Sequence, residues 1–403
     1  MTRTALALVS ARSLTSRLNK PYLKQPDQQA YAKLVDLFYC YICFLIMHHI
    51  LKKSAYPLTL KAGHIAKAHI LQQGLSAQDV DTLPGAAGGP KGIGILGLDQ
   101  AIFNEFLPQA PKRRTLIGSS IGAWRFASIT AWGATQGLSR LADLYTHLYF
   151  DQHMKMQDIA AICQNMLFEL VQGRERQMIE HPDYHFTIIS AKARHLFKSD
   201  RAVPLLASIA GIVGCNALSR KYNRFFMQRV ISQPKQGQQF QVSDDFVTHY
   251  HALEQDNILP WLMASASIPG VMHAVKNIPN AQGSYRDGGL IDYHIDLPFN
   301  SQGIVLYPHF TDSITPGWFD KSIKRRANPN HQARTLLISP SAEYLKSLPL
   351  GRLPDRKDFA LKGLDQATRI KYWQQSVSES QRLGDAFLEL LHKQNFAEHL
   401  QDL

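Results

Sequence analysis

Apolar positions recur along the chain at two spacings, one typical of helices and one of buried strands, with glycine-rich turns between them. Residues 62–73 have apolar positions at helical spacing, which predicts a helix that ends before Gly74. An apolar run ending at Leu83, a glycine-rich turn at 85–89 and a helical pattern over 91–106 follow. Strand, turn and helix in this order make one half of an α/β unit.

The same order is repeated immediately afterwards. Residues 115–118 predict a short buried strand, Ser119 and Ser120 a turn, and 121–135 a helix. Two such units in succession predict parallel strands covered by helices, so we expect an α/β domain. Further strands are predicted at 184–190, 246–250, 303–307 and 335–338, and helices around 138–150, 156–172, 204–218, 258–267 and 365–393.

Composition agrees with a folded protein. The 403 residues are 45% hydrophobic and 19% charged, which argues against global disorder and against a polytopic membrane protein. The net charge of +12 favours an anionic partner, but residues 1–53 hold eight basic and two acidic side chains and so carry half of it. Four cysteines do not make a disulfide framework, and we expect a cytoplasmic chain.

The N-terminal segment, residues 1–55, differs in composition from the rest. Residues 34–51 form an apolar run near the lower length limit for a membrane helix, but Asp36 interrupts it. Residues 1–26 are rich in Ser and Thr and carry five basic residues without an acid, as organelle transit peptides do. Three interpretations stay open: a dispensable extension, a membrane anchor that would associate the chain with a membrane, and a targeting peptide.

One short motif suggests a nucleophile. Gly118, Ser120 and Gly122 make a G-x-S-x-G pattern that follows a predicted strand and opens a predicted helix. In this setting a serine sits on a strained turn with its hydroxyl presented to substrate, and the helix N-terminus favours developing negative charge. The alternative is an ordinary Ser-Ser pair in a loop.

The glycine-rich turn at 85–89 allows three uses. A P-loop fails because Pro90 replaces a glycine and Gly92 replaces the hydroxyl that binds magnesium. A dinucleotide fingerprint fails because Ala87 stands at its first glycine. The third use is an oxyanion hole, and its donors would be the N–H groups of Gly88 and Gly89, because proline has none.

A nucleophilic serine needs a base, and Asp287 is the first candidate. It precedes Gly288 and Gly289, which permit a sharp turn and close backbone approach. A Ser-Asp-His triad would instead need a histidine after Asp287. The histidines available for that role are His294, His309 and His331, none of which lies in a recognisable motif.

The three motifs occur in the order G-G-x-K-G at 88–92, G-S-S-I-G at 118–122 and D-G-G at 287–289. In this order the chain resembles the patatin-like phospholipases, which are lipid acyl hydrolases with a Ser–Asp dyad. The segment 264–269 is similar to the family's A-S-x-x-x-P stretch. The resemblance implies a three-layer α/β fold with a central, mostly parallel sheet and helices on both faces.

Position by position, the resemblance makes Ser120 the nucleophile, Asp287 its base, and Gly88 with Gly89 the oxyanion hole. Ala87 replaces a glycine usual in the family, so we expect a narrower hole. Lys91 stands where arginine is common. The supporting motif residues are Lys91, Gly92, Gly118, Gly122, Gly288 and Gly289.

The resemblance covers residues 56–310, and we expect 311–403 to be a C-terminal extension with a long amphipathic helix. The resemblance implies an enzyme that cleaves a lipid ester or phospholipid and needs no metal, cofactor, nucleotide or nucleic acid. Basic runs at 112–114 and 321–326 are candidates for contact with a membrane surface. Two other functions stay open, a triad esterase and a lipid- or membrane-binding protein without catalysis.

Overall fold

The structure is a computed structural model that describes residues 56–151 and 153–403. The N-terminal apolar run and the predictions made for it lie outside the described residues. The strands are β1 Leu58–Ala62, β2 Val80–Gly85, β3 Arg114–Ser119, β4 Tyr184–Ala193, β5 Met227–Gln233, β6 Thr248–Ala252, β7 Val275–Ile278, β8 Ala281–Asp287, β9 Ile304–Pro308, β10 Thr335–Pro340 and β11 Leu400–Asp402.

The α-helices are α1 His64–Gln73, α2 Leu96–Ala101, α3 Ile121–Trp132, α4 Ala134–Thr146, α5 Met156–Val171, α6 Glu175–Ile179, α7 Ala202–Leu218, α8 Ile258–Ala266, α9 Ala342–Ser347, α10 Gln366–Glu379 and α11 Gln381–Lys393. A π-helical turn spans Ile102–Phe106. The 3₁₀ helices are Ala77–Asp79, Gly89–Ile95, Leu107–Gln109, His195–Lys198, Arg220–Phe225, Gly288–Leu290, Trp318–Lys321, Arg356–Ala360 and Phe396–Glu398.

All eleven strands join one sheet. Its main path is β11-β1-β10-β9-β2-β3-β4-β5-β6, and β8, paired with β7, joins β4. Six of the strand pairs are parallel and four are antiparallel. The predicted α/β class with a mostly parallel sheet is therefore confirmed.

Both faces of the central strands are buried. In β4, Ile188 belongs to the main hydrophobic cluster, whereas the next residue, Ile189, belongs to a separate one. Leu116 and Ile117 of β3 divide between the same two clusters. Because successive side chains of a strand point to opposite faces, the sheet has a hydrophobic layer on each side, as a three-layer fold requires.

Two predicted helices are interrupted. Residues 91–106, predicted as one helix, form a 3₁₀ segment, then α2 and then the π-helical turn. Gly92, Gly94 and Gly97 lie in the first half of this stretch and lower its helix propensity. The prediction of a single helix over 365–393 was wrong, because the chain forms α10 and α11 with a break at Ser380. The Ser380 hydroxyl donates to the Val377 carbonyl and accepts from the Gly97 N–H, which fixes the break against α2.

Residues 311–403, expected as an extension, lie in the same compact unit as residues 56–310. They supply β10, which pairs with β1 and β9, and β11, which pairs with β1. Among the helices that the structure describes, none combines the length and apolar character needed to cross a bilayer.

The contact between α2 and the Ser380 break leads to a stability prediction. A Cβ atom at Gly97 would lie 2.3 Å from the Ser380 carbonyl oxygen. Gly97→Ala is therefore expected to lower the free energy of unfolding by about 1–3 kcal/mol, because the backbone must move apart. Chemical denaturation followed by circular dichroism measures this difference.

Gly214→Ala in α7 is the matched control, since a Cβ there meets no atom within 4 Å. We expect it to be neutral or to stabilise by up to about 1 kcal/mol, the usual gain of alanine over glycine in a helix. Equal effects of the two substitutions would show that α2 and the break are not in close contact.

Candidate functional site

The candidate site lies where β3 and β8 meet along one edge of β4. In the sheet register Ser119, the last residue of β3, is opposite Ile189, and Asp287, the last residue of β8, is opposite Ser190. β5 occupies the other edge of β4 over the same residues. The two strands therefore end head to head on neighbouring residues of β4, and this brings Ser120 to Asp287.

Ser120 has an uncommon backbone conformation. It lies between β3 and α3 with φ 54° and ψ −125°, a backbone conformation that residues other than glycine rarely adopt. Such strain is concentrated at functional sites, where the surrounding structure enforces it. A Cβ at Gly122 would lie 1.9 Å from the Gly85 carbonyl oxygen, so glycine is required for α3 to start this close to β2. The predicted strand-turn-helix setting of the serine is present.

A single segment fixes both members of the proposed dyad. The Ser265 hydroxyl accepts from the Ser120 N–H at 2.8 Å and donates to the Ile189 carbonyl at 2.6 Å. Two residues on, the Ser267 carbonyl accepts from the Asp287 N–H at 2.9 Å. These bonds involve residues of the A-S-x-x-x-P stretch, which thus acts as a brace between the two turns.

The Asp287 carboxyl group is buried, with 6% of the residue exposed. Burial raises its pKa to about 6, although the charge of Arg356, the hydrogen bond from the Gly289 N–H and the nearby Ser120 hydroxyl act in the opposite direction. The Gly289 N–H donates to Oδ1 at 2.7 Å. A carboxylate with a pKa near neutrality, beside a serine hydroxyl, is suited to accept the hydroxyl proton.

The glycine turn at the end of β2 has backbone N–H groups that are free to donate hydrogen bonds. Gly89 has a positive φ of 59°, and the Ala87 N–H donates to the Tyr293 carbonyl. By contrast, the N–H groups of Gly88 and Gly89 donate to no acceptor in the part of the chain that the structure describes. A Cβ at Gly88 would lie 2.4 Å from the Phe310 ring, so a side chain there would displace this ring.

The supporting motif residues divide into two groups. The glycines allow close packing: a Cβ would lie 2.7 Å from Ile121 at Gly92, 2.5 Å from the Ala123 nitrogen at Gly118 and 2.3 Å from the Ile189 carbonyl at Gly288. Lys91 instead forms an ion pair with Asp355 at 3.3 Å. Lys91 thus connects the glycine turn to residues that follow α9.

Two largely apolar cavities flank the site. One, of about 510 Å³, is lined by Asp287 and Gly289 together with Ala87, Tyr293 and Trp318. The other, of about 860 Å³, is lined by Ser120 and by the apolar and aromatic side chains Ile121, Trp124, Tyr145, Leu148, Phe150, Ile159, Cys163, Ala266, Val271, Met272 and Phe359. Ile268 and Arg356 line both, so the cavities adjoin at the dyad.

Arg356 is the site residue that sequence reasoning missed. It opens the 3₁₀ helix Arg356–Ala360, lines both cavities, and places its Nε 2.8 Å from where a Cβ of Gly89 would be. Its charge lowers the pKa of Asp287. No motif surrounds it, and the only sequence signal is a charged stretch of unassigned purpose at 352–356.

None of the three candidate histidines is hydrogen-bonded to Ser120 or Asp287. The Nδ1 atoms of His294 and His309 accept from the N–H groups of Thr315 and Thr311, and their Nε2 atoms have no partner among the described residues. Burial lowers the pKa of His309 to about 3 and that of His294 as well. His331 contacts Asp296 instead, at 3.4 Å.

The described residues contain no group of three or more His, Cys, Asp or Glu side chains placed to hold a metal ion.

The raised pKa of Asp287 predicts a stability change with pH. Its carboxyl group titrates near 3.8 when unperturbed and at about 6 in the folded protein. Between these values the folded state holds this proton more tightly than the unfolded chain, so the contribution of Asp287 to stability falls as the pH rises. At about 1.4 kcal/mol per pK unit the loss is about 3 kcal/mol. Asp287→Asn should remove it, and urea denaturation at pH 4 and pH 7 measures the difference.

Arg356→Gln sharpens this test. It removes a cation that lowers the pKa of Asp287, so the pH-dependent loss should move to higher pH. Lys357→Gln is the control, because Lys357 is exposed and is not among the groups that shift Asp287. A profile unchanged by Asp287→Asn would contradict the raised pKa.

Comparisons with known proteins add no family assignment. A scan against models of protein families finds no match, and a search of curated proteins finds none either. The resemblance to the patatin-like phospholipases therefore rests on the sequence motifs.

Proposed function

We propose that the protein is a serine acyl hydrolase that cleaves lipid esters with Ser120 and Asp287. One observation carries the proposal: a serine on a strained strand-to-helix turn lies beside a buried carboxyl group with a pKa of about 6. Nucleophilic catalysis by serine needs a base near the hydroxyl group, because this group is a weak nucleophile until a base removes its proton.

The proposed reaction has two steps. Ser120 Oγ attacks the ester carbonyl while Asp287 accepts its proton, and the resulting oxyanion receives hydrogen bonds from the free N–H groups of Gly88 and Gly89. The intermediate collapses to an acyl-enzyme, and Asp287 returns the proton to the departing alcohol. Water, deprotonated by Asp287, then attacks the acyl-enzyme and releases a carboxylic acid and free Ser120.

A lipid substrate fits the cavity next to the nucleophile. Its lining is mainly aliphatic and aromatic, as is usual for sites that bind apolar ligands. An acyl chain buried there would gain about 0.8 kcal/mol for each CH₂ group removed from water. We infer that the acyl chain occupies this cavity and that the leaving alcohol lies toward the smaller one, beside Asp287.

Ser120→Ala and Asp287→Asn should each lower kcat for a short-chain p-nitrophenyl ester by roughly a thousandfold or more, as for other nucleophile and base losses. Ser120→Ala should also abolish labelling by a fluorophosphonate, located by mass spectrometry of the tryptic peptide.

Ser119→Ala is the matched control. Its buried hydroxyl has no hydrogen-bond partner among the described residues, so activity within about tenfold of the parent is expected. Retained hydrolysis in folded Ser120→Ala protein would refute the proposal.

The dyad predicts that the histidines are dispensable for chemistry. Alanine at His294, His309 or His331 should leave kcat within about tenfold of the parent, provided that the variant folds. Thermal denaturation of each variant checks the fold. A loss above roughly a thousandfold at one position, with the melting temperature preserved, would replace the dyad by a triad.

A further inference from the structure

The outer face of α7 is an unusual surface for a protein in water. None of the 17 residues of this helix is charged. Its inner face packs through Leu205 and Ile212, which are buried. The large side chains on its outer face are exposed: Val203 at 79%, Leu206 at 64%, Val213 at 53% and Leu218 at 81%.

The segments on either side of α7 extend this surface. The 3₁₀ helix before it exposes 60% of Leu196, and the one after it exposes 45% of Tyr222 and 56% of Phe225. Both segments pack against α7. We call these exposed residues the α7 face: Leu196, Val203, Leu206, Val213, Leu218, Tyr222 and Phe225. Exposed apolar patches of this kind mark sites of association with proteins or membranes.

Basic residues border the α7 face. They lie at both ends of the helix: Arg194, Lys198, Arg201, Lys221 and Arg224. Asp200 is the single acidic residue in the stretch 194–226, and it forms an ion pair with Arg286 at 2.8 Å. An apolar surface between cations is complementary to an anionic lipid bilayer, whose headgroups attract Lys and Arg while its acyl boundary accepts apolar side chains.

We propose that the α7 face docks the protein onto an anionic lipid bilayer, with α7 lying in the plane of the interface. With 17 residues the helix is about 25 Å long, below the 20 or so residues that a spanning helix needs. A second copy of the chain is the less favourable occupant, because two such faces in contact would bring their basic borders together.

Docking in this orientation would place the cavity beside Asp287 next to lipid. Ile209 of α7 lines that cavity together with Trp318, which is 42% exposed. The helix that contacts the bilayer is thus also a wall of the site. The docking itself goes beyond the proposed function, because it requires no hydrolysis.

Vesicle co-sedimentation tests the proposal with the full chain carrying Ser120→Ala, so that lipid is not consumed. The vesicles contain either phosphatidylcholine alone or an equimolar mixture with phosphatidylglycerol. We expect binding to the mixture, and we expect Leu206→Glu to lower the partition coefficient by about tenfold or more. Leu71→Glu is the matched control, on α1 with 52% exposure, and should not change it.

A second variant tests the charges. Lys198→Gln, Lys221→Gln and Arg224→Gln together should lower binding to the mixed vesicles by about a hundredfold at low salt, at about 1 kcal/mol per cation. Binding to phosphatidylcholine alone should stay unchanged. Hydrolysis of a soluble ester by protein with intact Ser120 should not respond to these substitutions, so docking and catalysis are tested separately.

Three outcomes would overturn the proposal. One is an absence of binding of the parent to either vesicle. The second is equal binding of Leu206→Glu, which would assign attachment to another part of the chain, such as residues 1–55. The third is a dimeric parent that Leu206→Glu makes monomeric in sedimentation velocity, which would identify the α7 face as a contact between copies.

Discussion

The site depends on the hydrogen bonds that Ser265 and Ser267 make at the ends of β3 and β8 and to Ile189 within β4. Ser265 is hydrogen-bonded to the Ser120 N–H and the Ile189 carbonyl, while the Ser267 carbonyl holds the Asp287 N–H. A register slip of one residue in β8 would turn Asp287 to the other face of the sheet. The brace therefore fixes the register at the one place where two chain turns must meet.

The same arrangement opposes stability. A strained serine turn costs on the order of 1–3 kcal/mol, and a carboxylate kept in a dry environment adds to it. The two hydrophobic layers offset this, because β3 and β4 are buried on both faces and cannot move without opening the core. The proposed chemistry requires this rigidity, since the serine is held in a strained backbone conformation and the carboxyl group is kept away from water.

The sequence predicted those parts of the fold and site that are encoded locally. The turn at Ser120 follows from its neighbouring glycines, and β3 and β4 are apolar runs. β8 was not predicted, because its segment AQGSYRD lacks an apolar pattern and forms a strand through pairing with β4 and β7. Arg356 and the break at Ser380 are set by contacts with distant residues, Gly89 and Gly97, and no local pattern announces them.

The position of β1 bears on when the domain can finish folding. The first strand of the described unit lies between β10 and β11, so it finds its neighbours only after residues 335–402 have left the ribosome. Contacts this distant in sequence slow folding. Asp287 and Arg356 also come late, so a nascent or truncated chain would hold the serine motif without its carboxyl partner. Under the proposed function, a lipid-cleaving activity would begin only after Asp287 and Arg356 have been synthesised and have folded against the serine motif.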